Sequence, residues 1–249
     1  MSTDALVVDV SEDWATACDV QRRFIPRPNS SIELLSYGAR CRQVRAVGGD
    51  FYDFLPLSHD RLAFAIGDAS GKSIGAAIMI SSVQSSLRTA AHFAGSETSV
   101  VLRTVNSLLE TPSPDGRYAT LFYGVFDANT RTLRYSNAGH NPPIVIRRDG
   151  STVHLETGGV PVGLFPSRDY REGVEQLRAG DLIIAYTDGI TEALNPLGQE
   201  WGVEGLLKAA YRSQTQSPDD IACSIFQAMD EFSQGRQIDD ATVLVARVR

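Results

Sequence analysis

The stretch ATLFYGVFDANTRTLRYSNAGHNPPIVIRRDGSTVHLE, Ala119 to Glu156, decides how the chain folds. Four β-rich runs follow one another in it: Ala119–Asp127, Arg131–Asn137, Pro143–Arg148 and Thr152–Glu156. Turn residues separate them, and Asp149-Gly150 between two of the runs is a hairpin signal of the primed-turn type. Upstream, Arg61–Gly67 is a short apolar strand, and residues 32–47 form a strand leading into Gly48-Gly49. Two helices lie between, one from Ser73 to near Gly95 and one over Ser99–Glu110. In the second, Val101, Leu102, Val105, Leu108 and Leu109 recur at helical spacing. Downstream come the strand Asp181–Thr187, helices over Val203–Ser213 and Pro218–Phe232, and a closing strand, Ala241–Val248. Strands in runs with helices inserted in pairs are not βαβ alternation. The pattern predicts an α+β fold, an α-β-β-α sandwich of two stacked antiparallel sheets flanked by helices.

Ahead of this body, Ser11–Ile25 reads as a helix capped by Ser11, with Trp14, Cys18 and Ile25 on one apolar side, stopped by Pro26 and Pro28. The expected division is a lead-in or linker helix over 1–25 and one domain over 26–249.

In 249 residues, 23 Lys+Arg against 30 Asp+Glu leave a net charge of −7, which argues against broad nucleic-acid binding. Hydrophobic content of 43% and charged content of 21% are those of a globular protein. Cys18, Cys41 and Cys223 are too few and too widely spaced for a disulfide framework or a structural zinc site. No apolar run reaches membrane-spanning length, and the N-terminus lacks a signal-peptide pattern, so a cytoplasmic protein with no membrane partner is expected.

The chemistry gathers in four acidic clusters: Gly48-Gly49-Asp50, Gly67-Asp68-Ala69-Ser70-Gly71, Thr187-Asp188-Gly189 and Asp239-Asp240. Each sits where an apolar strand starts or ends. Carboxylates brought together at one sheet end repel one another unless cations or protons intervene. An all-oxygen ligand set selects Mg²⁺ or Mn²⁺ over zinc, and none of the four histidines forms a ligand-like pair. Two such ions about 4 Å apart activate a water and clamp a phosphoryl group for in-line attack. The tempting alternative is Gly67–Ser73 as a nucleotide-binding P-loop. Its spacing is one residue short, and Asp68 would oppose the phosphates.

VGGDFYDF (47–54), GDASGKS (67–73), NAGHNPP (137–143), YTDGITEA (186–193) and DDATVLV (239–245) stand in this order. In order and spacing they resemble the SpoIIE-type serine/threonine phosphatases, the bacterial RsbU-like branch of the metal-dependent PPM (type 2C) phosphatases. The resemblance implies a binuclear site for Mn²⁺ or Mg²⁺. In it Asp68 and the Ala69 carbonyl serve as bridging ligands, Asp50 holds one ion, and Asp188 and Asp239 hold the other. Asp53 is a weaker ligand candidate, Asp240 supports the ligands without binding, and Glu192 is placed to join an additional ion. His140 falls in a strand-connecting turn and Lys72 at a solvated helix start. Arg40, Arg42 and Arg45 are the candidates for a phosphate contact.

The same resemblance implies hydrolysis of phosphoserine or phosphothreonine on a STAS-domain anti-sigma-factor antagonist, within partner-switching control of sigma factors. It departs in two places: Ser73 stands where glycine often follows the lysine, and only about twenty residues of this sequence precede the Val20–Pro26 segment, where relatives usually carry a sensory domain. The expected signal then comes from a partner, an activator protein or a second copy docking on that helix, unless the chain is constitutively active or a fragment. The alternatives from other classes are a catalytically inactive binding module of this fold and a P-loop nucleotidase.

Overall fold

In the computed structural model, residues 10–26, 31–32, 34–109 and 116–249 are described. In chain order the elements are α1 (Val10–Phe24), β1 (Ser31–Ile32), β2 (Leu35–Arg42), β3 (Asp50–Pro56), β4 (Arg61–Ala69), α2 (Ile74–Ala94) and α3 (Thr98–Leu109). There follow β5 (Ala119–Asp127), β6 (Thr132–Ala138), β7 (Ile144–Ile146), β8 (Thr152–His154), β9 (Gly158–Gly159), β10 (Gly173–Gln176) and β11 (Leu182–Tyr186). A one-turn α4 (Asp188–Thr191), then α5 (Gly202–Ser213), α6 (Pro218–Ser233) and β12 (Ala241–Val248) complete the chain.

The central strands bury both faces, and their period-two alternation sorts side chains into separate cores. Along β4, Leu62, Phe64 and Ile66 enter one cluster, while Ala63, Ala65 and Ala69 enter another with Val83, Leu87, Val101 and Val105 of α2 and α3. Along β12, Leu244, Ala246 and Val248 join the first cluster. Its Ala241, Val243 and Val245 face Leu206, Ile221 and Ile225 of α5 and α6. The first cluster therefore lies between two sheets and the others beneath helices. This is the expected α-β-β-α sandwich.

One sheet runs β1-β2-β12-β11-β7-β8 and the other β10-β6-β5-β4-β3. The pairings are antiparallel except for the short β9, which pairs parallel with β6. The chain passes from one sheet to the other at the NAGHNPP turn. There Asn137 Oδ1 accepts from His140 N at 2.7 Å, and Asn137 Nδ2 donates to the His140 and Leu155 carbonyls.

Two expectations are corrected and one disfavoured alternative is excluded. The strand over 32–47 ends at Arg42 and gives way to a looped 43–49, and β3, an unexpected strand, begins at Asp50. DFYDFLP has no alternation to betray it because residues of both its faces are buried. The Asp149-Gly150 turn is not primed. Only Gly150 takes a positive φ, +86°, with Gly150 N donating to Arg147 O, the geometry of a three-residue loop closed by a left-handed glycine. The P-loop alternative fails because Asp68 and Ala69 remain in the ladder between β3 and β5, so no loop is open to cradle phosphates. The expected Glu110 helix end and Pro28 stop lie outside the described residues.

Candidate metal centre

The acidic clusters meet at one end of the sandwich because antiparallel pairing fixes their register. Asp50 opens β3 directly across the ladder from Asp68 near the end of β4, and Asp68 in turn faces Thr120 of β5. From the other sheet, β11 ends just before Asp188 at the start of α4, and β12 begins just after Asp239-Asp240. Each sheet thus supplies two of the four acidic clusters.

The glycines permit this closeness. A Cβ on Gly189 would lie 1.9 Å from the Asp240 carbonyl, so α4 could not approach the start of β12 with any side chain there. Asp240 itself faces the 43–49 loop: its carboxylate accepts from Val44 N at 2.7 Å and Gly49 N at 2.8 Å. It holds the segment that carries Asp50.

Electrostatics mark Asp68 as the centre. Burial pushes its carboxyl far up, and Asp50, Asp188, Asp239 and Asp240 all push in the same direction. Asp50 is raised by burial, which two threonine hydrogen bonds oppose, and by the charges of Asp240 and Asp188. Asp188 is raised by burial and by Asp239, against the pull of Gly189 N–H and Lys72. Glu192 is raised by burial, then by Asp188, Glu200 and Asp239, so it faces the same cluster from the end of α4.

Lys72 is more than a solvated helix start. Its ammonium sits 2.5 Å from Asp239 Oδ2 and 3.3 Å from the Ile238 carbonyl, and Asp239 raises its pKa. Among the described residues, no three acidic, imidazole or thiol side chains converge at ligating distance as they stand. The donor set nonetheless fits a hard cation, being all oxygen and mutually repelling. An ideal Cβ on Gly49 would stand 3.2 Å from both Asp68 Oδ1 and the Ala69 carbonyl, so these two oxygens face one small space.

Other candidates separate from this centre. Asp53 points to the opposite face of β3, where its carboxylate accepts from Arg88 Nε at 2.6 Å and Gln84 Nε2 at 3.2 Å. His140 is buried, with Nδ1 paired to Thr120 Oγ1 at 2.8 Å and Nε2 lacking a hydrogen bond, and burial pushes its pKa down to about 4. A neutral, enclosed imidazole suits a turn better than an acid. Arg42 is committed to Asp230 through two hydrogen bonds and lies over Phe226. Arg45 is exposed on the loop held by Asp240, and Arg40 is exposed on β2.

Sequence reasoning missed Thr187 and Thr242, whose hydroxyls both donate to Asp50 Oδ2 at 2.7 Å. Their place inside TDG and DDAT was the available signal. It also missed Gln21 of α1, whose side-chain amide bonds the Gly48 backbone, and no local pattern signals that contact.

This architecture, two stacked antiparallel sheets flanked by helices, is that of the PP2C-type phosphatase domains. It matches the PP2C phosphatase domain of SpoIIE from Bacillus subtilis with a TM-score of 0.76 at 26% identity, over 86% of this chain and 63% of that one. The SiaA-PP2C domain of Pseudomonas aeruginosa shares the fold with a TM-score of 0.84 at 19% identity, over 96% and 97% of the two chains. The family model for stage II sporulation protein E (SpoIIE) matches residues 58–249, and the chain belongs to that family. Phosphoserine phosphatase RsbU of Bacillus subtilis is 25% identical over 240 residues, covering 96% of this chain and 71% of RsbU. Protein IcfG of Synechocystis sp. is 28% identical over 254 residues, but the chain spans only 40% of its length.

Proposed function

We propose that the chain hydrolyses phosphoserine or phosphothreonine on a protein with the help of a divalent-metal pair, Mn²⁺ or Mg²⁺. The observation that carries this reading is the convergence on Asp68 of four further carboxylates from two sheets, an arrangement that costs stability without a cation. Asp50, Asp68, the Ala69 carbonyl, Asp188 and Asp239 would hold the ions, which when bound supply Lewis acidity and a nucleophilic water. The chain's own residues do the rest. Asp240 fixes the Gly48-Gly49 segment ahead of Asp50 through the Val44 and Gly49 amides. Lys72, paired to Asp239 at 2.5 Å, would be available to a phosphate if Asp239 held a cation instead.

The substrate this reading favours is a phosphorylated STAS-domain anti-sigma-factor antagonist, supported by similarity to relatives named phosphoserine phosphatase RsbU and RsbP. In the same reading α1, residues 10–24, receives an activator protein or a second copy of the chain. The test is release of phosphate from a panel of phosphorylated STAS proteins, with and without Mn²⁺. Release from one member only in the presence of Mn²⁺ supports both halves of the proposal. Metal-dependent hydrolysis of a small phosphoester but of none of the panel would remove the substrate assignment alone.

A further inference from the structure

Among the described residues, Asp50 is the only one of the clustered carboxylates gripped from the opposite sheet by hydroxyls. It lies on β3, whereas Thr187 follows β11 and Thr242 lies on β12. Both threonines are 0% exposed and Asp50 is 4% exposed, so these contacts are shielded from solvent. The two hydroxyls donate to the same atom, Oδ2, each at 2.7 Å. Thr187 Oγ1 also accepts from Thr242 N at 2.9 Å, which directs its own proton toward Asp50. A carboxylate oxygen has about two acceptor sites. Oδ2 is therefore filled, and Oδ1 is the oxygen left for a cation.

We propose that Thr187 and Thr242 are positioning residues that tie Asp50 to the opposite sheet and turn one chosen oxygen of its carboxylate toward the metal. The proposal rests on the metal-site reading and deepens it. Its structural consequence is registry. Asp50 and Asp68 belong to one sheet and Asp188 and Asp239 flank strands of the other, so the paired hydroxyls set the distance between the two half-sites. Groups that orient a metal ligand through a hydrogen bond commonly matter about 10- to 100-fold in metal affinity.

The experiment uses the full chain and Mn²⁺ alone, with free Mn²⁺ read by electron paramagnetic resonance. Thr187→Val and Thr242→Val keep the side-chain shape and remove the hydroxyl, whereas Thr187→Ser and Thr242→Ser keep the hydroxyl and remove the methyl. The expected result is a Mn²⁺ dissociation constant raised about 10- to 100-fold in each valine variant, with the serine variants binding like the parent. Parent-like binding by the valine variants overturns the proposal, and so does an equal loss in valine and serine variants, which would mean methyl packing. Asp50→Asn is measured alongside. If it too binds like the parent, the metal-site reading itself fails. A loss there with none in the valine variants removes the threonine role alone. Should one valine variant not fold, the other valine variant and its serine counterpart make the same comparison.

Discussion

The side-chain amide of Gln21 pairs with both main-chain groups of Gly48: Nε2 donates to the Gly48 carbonyl at 2.8 Å, and Oε1 accepts from Gly48 N at 3.0 Å. Oε1 also accepts from Gln43 Nε2 at 3.0 Å, so α1 holds both ends of the looped segment ahead of Asp50. The end of the helix is anchored separately, where the Phe24 carbonyl accepts from Gln84 Nε2 and Arg88 on α2, each at 3.0 Å. A helix that touches the backbone two residues from Asp50 can report its own position to the acidic cluster.

Gln21→Ala should therefore lower metal-dependent turnover by about 10-fold, within the range that small misplacements of a reacting group produce, while the fold persists. Steady-state kinetics on a small phosphoester check this. Deleting residues 1–19 tests the docking role of the same helix through solution mass and turnover. If neither changes, the helix has no regulatory part in the isolated protein.

Asp68→Ala removes the carboxylate on which the others converge. Turnover should fall by at least about 10²–10³-fold, as when a single preorganised electrostatic contact is lost, and a chelator should abolish parental activity. Full activity in Asp68→Ala would sink the two-metal mechanism.

Divalent metal should raise the melting temperature, since at about 100 times its dissociation constant one ion contributes about 2.7 kcal/mol. Asp188→Asn and Asp239→Asn each remove one repelling charge. Both should melt higher than the parent without metal and gain less from Mn²⁺. Calorimetry that shows an undiminished metal shift in both would reassign the ligands.

The acidic cluster should take stability from the metal-free protein as pH rises. Asp50, Asp68, Asp188 and Glu192 all have carboxyls raised by burial and by neighbouring carboxylates. Above about pH 4, where unfolded carboxylates have released their protons, the folded state still binds more protons than the unfolded one. Stability then declines until the raised groups ionise. Saturating Mn²⁺ favours the ionised forms and should flatten the decline. Melting curves from acid to neutral pH, with and without Mn²⁺, check both slopes.

His140 titrates with the opposite sign. Its pKa is pushed down to about 4 by burial, so stability is full above about pH 6.5 and is lost as pH falls through the lowered value. His140→Ala should remove that acid-side loss and cost about 1–3 kcal/mol by leaving Thr120 without its buried partner. It should not cost the roughly 10²–10⁴-fold in turnover expected of a general acid. Denaturant melts across acid pH, with turnover measured alongside, read out both effects.

The sandwich was legible in the sequence because period-two runs between Ala119 and Glu156 and helices in pairs leave few other ways to bury their apolar faces. Asp50, Asp68, Asp188 and Asp239 were legible as well, since each abuts a glycine or a second aspartate at the end of a hydrophobic run. What depended on tertiary structure was facing and registry. Asp50 and Asp53 belong to one short motif, yet β3 alternates, so one meets Thr187 and Thr242 while the other is bound to Arg88. Lys72 looks solvated along the chain and is paired to Asp239 only because the segment ahead of β12 reaches the one ahead of α2. Local sequence encodes which strands and turns form. Which side chains share one small volume is decided by pairing between residues more than a hundred positions apart, as in the contact of Asp50 with Thr242 across 192 residues.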